Sequence, residues 1–367
     1  MRLSRSRLAG IAITLLLSAA LLAVGANVLR WLRLYWAGLP AGVFWVLWLL
    51  PNALFALTAY VPRGRMKNLC RRVGEAWFSL ILYPLSYIFL GWLAGLIFPL
   101  PLRKTGWAVV LLSALTLACA VPGALFPRVR EYAVPLPGLT GERKLVLLSD
   151  LHLGFFTPRS LLPRLQKMVN AQNADAVLIA GDIFDEEYSA LRHPDEAAAA
   201  LRGMKSALGT FGCEGNHDCY APSPEAESFL RDAGVTMLYD AWTVAGPLRL
   251  AGRRDYRRRA RMDAQSLMDA APPGGPRIVL DHNPREWDVV LSAGAELVLC
   301  GHTHGGQTFP GNLAAKLILR CPVYGLHRHG GGTCVVTSGA GVWGLPVRLG
   351  VTGEIVVLHL KPEVSPR

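Results

Sequence analysis

Five short polar clusters in this 367-residue chain carry side chains suited to binding divalent metal ions. They read Ser149-Asp150-Leu151-His152, Gly181-Asp182-Ile183-Phe184-Asp185, Gly215-Asn216-His217-Asp218, Asp281-His282-Asn283 and Gly301-His302-Thr303-His304. Imidazole, carboxylate and amide donors without thiolate suit Mn, Fe or Zn and argue against a structural zinc site. Asp150 with His152, and His302 with His304, place two donors two positions apart, so both can enter one pocket as the chain leaves a strand. Glycines before Asp182, Asn216 and His302 let the backbone turn where a donor must project. One Asp-X-His or His-X-His is commonplace. Five of the nine histidines falling in such clusters, each at a predicted strand end, make the inventory of a site for two cations.

The elements that must position these clusters are short apolar runs just before them. Strands are predicted over residues 144–148, 176–180, 210–213, 277–280, 297–300 and 333–336, with Val, Ile and Leu on both faces as in buried parallel strands. Helices are predicted between them over 160–173, 195–208 and 224–233, the last with Ser223 as N-cap and Pro224 at its first position. Alternating strands and helices predict an α/β domain with its functional groups beyond the carboxyl ends of the strands.

The order of the clusters resembles that of the calcineurin-like metallophosphoesterases: Asp-X-His, Gly-Asp-X-X-Asp, Gly-Asn-His-Asp, His, then Gly-His-X-His. The resemblance covers residues 142–361. It implies a four-layer α/β/β/α sandwich in which Asp150, His152 and His304 hold one metal, Asn216, His282 and His302 hold a second, and Asp182 bridges both. A pair of cations so held would clamp a phosphoryl group and acidify the attacking water. His217 would protonate the leaving group or stabilise phosphoryl charge, and Asp185 would orient its imidazole. The string 301–307, with Asp281–Pro284 and the segment Gly339–Arg348, looks most like a membrane-associated bacterial subgroup. That subgroup includes hydrolases of UDP-2,3-diacylglucosamine.

The chain is 52% hydrophobic and only 17% charged, which excludes a disordered protein. Its net charge of +12 is uneven: residues 1–126 carry +11 and residues 127–367 only +1. The basic excess therefore marks a membrane region, not a nucleic-acid partner. Four apolar stretches, 8–29, 39–61, 78–100 and 107–126, each approach the ~20 residues that span a bilayer as a helix. Bases concentrate before the first and between the second and third, which predicts a multi-pass inner-membrane protein with both termini and the catalytic domain in the cytoplasm. Residues 1–26 also fit a cleaved signal peptide, which would leave three spans and export the rest. The resulting division is a four-helix transmembrane region at 1–126, a linker at 127–141, the catalytic domain at 142–361 and a tail at 362–367.

The basic run Arg253, Arg254, Arg257, Arg258, Arg259 and Arg261 is either a solvated face or a contact for anionic headgroups or a diphosphate; Arg253, Arg254, Arg257 and Arg258 are the substrate-binding candidates. Seven cysteines without framework spacing read as reduced thiols. These features point to a membrane-anchored hydrolase of a phosphodiester or pyrophosphate, with a lipid-linked substrate expected. A phosphodiesterase for cyclic nucleotides or other soluble substrates is the enzymatic alternative. A metal-binding membrane sensor or scaffold is the non-enzymatic one.

Overall fold

A computed structural model describes residues 5–58, 60–61, 64–185, 188–220 and 223–363. Arg2 and Arg63, two of the bases before the first and between the second and third apolar stretches, and the last four residues of the expected tail lie outside them. The chain divides into two compact units, Met1–Ala118 and Cys119–Arg367.

The first unit is helical: α1 (Arg5–Leu32), α2 (Ala41–Leu57), α3 (Arg65–Gly95) and most of α4 (Leu102–Leu125). Two stretches, Met66–Gly95 and Leu102–Leu125, are long and apolar enough to cross a membrane; Ser18–Leu32 and α2 are apolar but shorter. The third helix begins well before the expected 78 and stops before 100. The basic stretch from Arg65 to Arg72 continues in helical register into the apolar part because no proline intervenes. Pro51, Pro84 and Pro122 sit inside helices, as spanning helices tolerate. Asn52 donates to the Trp48 carbonyl of its own helix at 3.3 Å, so this bond does not bridge two helices as a mid-span amide can.

The second unit holds two six-stranded sheets. The first comprises β1 (Arg128–Leu136), β2 (Arg143–Leu148), β3 (Ala176–Ala180), β4 (Thr210–Cys213), β5 (Val235–Leu238) and β12 (Glu354–Pro362), in the order β1-β12-β2-β3-β4-β5. The second comprises β6 (Ala241–Ala245), β7 (Leu248–Gly252), β8 (Arg277–Leu280), β9 (Leu297–Cys300), β10 (Gly325–His329) and β11 (Gly332–Val336), in the order β10-β11-β9-β8-β7-β6. Strands β2 to β5 run parallel, as do β7, β8, β9 and β11. Sequence periodicity located the predicted strands to within one residue at each end.

Alternation along the strands builds the layers. In β2, Leu145 and Leu147 enter the core between the sheets, while Val146 and Leu148 face α5 (Leu161–Asn170), α6 (Pro194–Arg202) and α7 (Pro224–Asp232). In β9, Leu297 and Leu299 face the inter-sheet core, while Val298 and Cys300 face α8 (Ala264–Asp269) and α9 (Trp287–Ser292). Both sheets are therefore buried on both faces, which explains their unbroken apolar runs. Ser223 caps α7 as expected, its side chain accepting from the Ala226 amide at 3.1 Å.

One expectation fails. Residues 127–141 are not a linker: β1 pairs in parallel with β12 over nine residues, from Arg128 against Glu354 to Leu136 against Pro362. Its exposed first half leaves no apolar run to read, and the strand meets the inter-sheet core through Val134 and Leu136, with the half-buried Tyr132 packed against it. A chain shortened to begin at Thr140 should expose the edge of β12. It is expected to aggregate or melt lower than one beginning at Cys119; equal melting temperatures and monodisperse elution of both would refute the structural weight given to β1.

Candidate metal centre

The five clusters leave the carboxyl ends of β2, β3, β4, β8 and β9, so both sheets supply the site. Asp150, His152, Asp182, His302 and His304 all adopt positive φ, between 45° and 72°. Such backbone is costly for residues other than glycine and persists where surrounding structure enforces it. The enforcement is visible. Asp150 N donates to Gly181 O, His152 N to Asp182 O, and His302 N to the Asp150 carboxylate at 3.1 Å. Of the preceding glycines Gly181 alone has positive φ, and the other two are required for space. A β-carbon at Gly301 would overlap Ser149 Oγ and Asp150 Oδ2, and one at Gly215 would overlap Asp182.

The expected ligands form two adjoining groups of ligand-capable atoms. Asp150, His152 and His304 make one; Asp182, His282 and His302 make the other; and a third combination, His152 with Asp185 and His217, shares His152 with the first. In the first, His152 Nε2 and His304 Nε2 stand 3.1 Å apart, with Asp150 Oδ1 3.9 Å and 3.4 Å from them. In the second, His282 Nε2 lies 3.1 Å from Asp182 Oδ2 and 3.2 Å from Asn216 Oδ1. The same Asp182 oxygen is 3.8 Å from His152 Nε2, so one carboxylate stands between both groups. The donor set fits cations: two imidazole nitrogens and a carboxylate share one small buried space, and a single cation would satisfy all three.

Hydrogen bonds outside the groups fix the rings. His282 Nδ1 lies 2.8 Å from Ala180 O and donates to it, which turns Nε2 toward Asp182. Asp182 Oδ1 accepts from the His217 amide at 2.8 Å. Burial disfavours a charged Asp182, but His282, His152 and His217 outweigh it and hold this carboxyl well below the usual range. Burial likewise opposes a charged His282, yet the Asp182 carboxylate pushes it up to about 10. Burial, then the charge of His282, drives His302 down to about 3. In this arrangement Asp182 is the fixed anion around which positive charge collects.

His217 lies at the edge of the first group, its ring 4.8 Å from that of His152. The bond that orients it comes from the main chain: Asp185 O is 2.6 Å from His217 Nδ1. The Asp185 carboxylate instead stands 3.3 Å from His152 Nδ1, where it steadies a candidate ligand. Asp185, expected to orient His217, meets that ring through its main-chain oxygen.

The arginine run separates into distinct roles. Arg253 is fully buried, its guanidinium committed to Asp281, Glu286 and the Met262 carbonyl, so it does not face a substrate as expected. Arg258 pairs with Glu214 at 2.6 Å, and Arg254 lies over the Tyr239 ring, 3.8 Å from Asp240. Only Arg257 of the four candidates is exposed, and its charge acts on His302. The four diverge because Asp240, Asp281 and Glu214 each attract a different neighbour in a run that looks uniform.

Two residues escaped notice as site builders. The Asp218 carboxylate accepts from the amides of Phe184 and Gly215, both at 2.9 Å, and ties two ligand loops together. Arg348 is fully buried, and its guanidinium donates to Ser338 O at 2.7 Å and Gly341 O at 2.6 Å, 3.2 Å from His304 Nδ1. Its main-chain N–H donates to Ala120 O in the last turns of α4. Burial lowers its pKa to about 10, so it keeps its charge at neutral pH, and with burial and His152 that charge disfavours a proton on His304. The signal was a lone arginine closing a glycine-rich stretch remote from any acid.

A family model for calcineurin-like phosphoesterases matches residues 143–306, which contain every candidate ligand. A phosphodiesterase of Escherichia coli, YaeI, is 30% identical over 230 residues, 59% of this chain and 82% of its own. The chain belongs to the calcineurin-like metallophosphoesterase family. This metallophosphoesterase is also 36% identical over 276 residues to a transmembrane protein with metallophosphoesterase domain from Danio rerio, covering 69% of this chain and 62% of that one. An uncharacterised metallophosphoesterase of Helicobacter pylori is 35% identical over 247 residues, 66% of each chain. The metallophosphoesterase thus spans about two thirds of the length of these last two relatives. The Danio rerio relative is named a transmembrane protein, and two helices of this chain are long and apolar enough to cross a membrane.

The buried ion pairs beside the centre permit a stability test. Asp281 receives Arg253 at 2.9 Å and Arg261 at 2.5 Å, with Glu286 the other carboxylate in reach. Asp281→Asn should cost about 3 kcal/mol in urea unfolding, because it leaves two guanidinium groups on one partly exposed acid. A change below about 1 kcal/mol would mean that water replaces the lost partner.

Proposed function

We propose that this protein is a membrane-anchored phosphoesterase that uses two divalent cations (Mn, Fe or Zn) to hydrolyse a phosphodiester or pyrophosphate on a lipid-linked substrate. The observation that carries the reading is the position of Asp182, with one oxygen 3.1 Å from His282 of one donor group and 3.8 Å from His152 of the other. A shared anion is what two neighbouring cations need to offset their repulsion. Asp150, His152 and His304 would hold the first cation; Asn216, His282 and His302 would hold the second. Bound there, the cations would polarise the phosphoryl group and lower the pKa of the attacking water.

The remaining work falls to the protein. His217, its Nδ1 proton directed at Asp185 O, offers Nε2 for the leaving oxygen or for phosphoryl charge. Arg257 at the rim is suited to a second phosphate of a pyrophosphate substrate. A lipid-linked substrate such as UDP-2,3-diacylglucosamine is favoured over a soluble diester because helices in the same chain restrict the site to a membrane surface. In the proposed topology all four N-terminal helices span the inner membrane, and the basic 62–72 segment keeps the catalytic domain cytoplasmic.

The test uses the purified full chain, stripped of metal and reloaded with Mn²⁺, on bis(p-nitrophenyl) phosphate and on a lipid pyrophosphate in mixed micelles. His217→Ala should lower kcat by roughly 10²–10⁴ with metal content unchanged. Asn216→Ala should lower the number of ions bound. Full activity without metal, or wild-type turnover in both variants, would overturn the assignment. Hydrolysis of cyclic nucleotides in preference to the lipid would replace the substrate while leaving the centre intact.

A further inference from the structure

The segment that follows His304 has no packing reason to be as apolar as it is. It forms α10 (Gly311–Ile318), an eight-residue helix with no buried side chain. Leu317 is 86% exposed and Ile318 73%; Leu313, one turn earlier on the same face, is exposed as well. Phe309 before the helix and Trp343 from a facing loop add aromatic rings in the open. Gln307 ties that loop to the helix approach, donating to Trp343 O at 2.9 Å and accepting from its amide at 3.2 Å. An isolated helix of this length is unstable in water, and a helix normally gains stability by burying its apolar stripe. Here nothing in the described domain covers the stripe.

Its flanks indicate what does. Lys316 and Arg320 are exposed beside the aliphatic ridge, and no Asp or Glu occurs anywhere between Glu296 and Glu354. An aliphatic ridge with cations, a tryptophan and no acid is the composition of a helix that lies in the plane of an anionic bilayer. Protein interfaces, by contrast, concentrate their energy in pockets filled by Trp, Tyr and Arg.

We infer that α10, with Phe309 and Trp343, is a foot that seats in an anionic lipid surface immediately beside the metal centre. The foot is fixed to the catalytic loop: Phe309 N donates to Leu349 O at 2.9 Å, and the backbone of Gly306 lies directly against that of Asn312. Seating would hold the mouth of the site at headgroup depth, where a phosphate carried on a lipid lies. This deepens the proposed lipid-linked substrate and rests on it for its catalytic consequence, although the seating itself can be measured without turnover.

The experiment places an environment-sensitive fluorophore at Leu317→Cys in the full chain, with Cys119, Cys219 and Cys321 replaced by Ser. Val244→Cys, exposed on β6, serves as the control. In nanodiscs containing phosphatidylglycerol the label at 317 should shift to the blue and be quenched by brominated acyl chains, and the control should do neither. In parallel, Leu317→Glu with Ile318→Glu should lower turnover of a bilayer-embedded lipid pyrophosphate by at least about tenfold. Turnover of soluble bis(p-nitrophenyl) phosphate should stay within about twofold of wild type. A water-exposed label at 317 in every nanodisc, equal loss on both substrates, or a change in oligomeric state on charging the ridge would overturn the inference. Failure of wild type on both substrates, with the label still buried, would sink the catalytic reading and leave the lipid foot standing.

Discussion

The constraint on which this structure depends is electrostatic. Asp150, His152, Asp182, His282 and His304 are gathered into a buried space a few ångströms across, and such groups cannot share a dry interior unless opposite charge is present among them. Asp182 supplies it. It stays ionised beside His282 and His152, and its amide and carboxylate neighbours draw three loops onto one point. The left-handed backbone of five candidate ligands is the conformational cost of that gathering. Two six-stranded sheets offset it with apolar layers on both faces.

Seen this way, the residues around the centre have separate tasks. Asp218 holds the loops after β3 and β4 together, and the Asp185 carboxylate steadies His152 while its carbonyl aims His217. Arg348 satisfies carbonyls at the far side of His304 and faces it with a fixed positive charge. A buried arginine with no carboxylate at ion-pair distance among the described residues is unusual. It is tolerable here because main-chain oxygens solvate it in place of water.

Much of this was legible in the sequence. The apolar runs were short, bounded by polar clusters and free of competing periodicity, so β2, β3, β4, β8 and β9 could be located from pattern alone. The clusters at their ends then named the candidate ligands. What escaped were elements whose signal is not local. Strand β1 is polar over its first half and becomes a strand only because β12 returns from the other end of the domain to pair with it. Arginines 253, 254, 257 and 258 look alike in a string, yet their fates are decided by acids scattered from residue 214 to 286. Arg348 could be flagged as odd but not understood until His304 and the Ser338–Gly341 carbonyls were seen around it.

The parallel pairing of β1 with β12 also fixes where the polypeptide enters and leaves the catalytic unit. Arg128, three residues after α4 ends, sits opposite Glu354, and both strands then run side by side to Leu136 and Pro362. Nine residues of strand cover about 30 Å. A fluorescent protein or purification handle joined directly after Glu363 therefore departs roughly 30 Å from the strand end joined to α4, well clear of that junction.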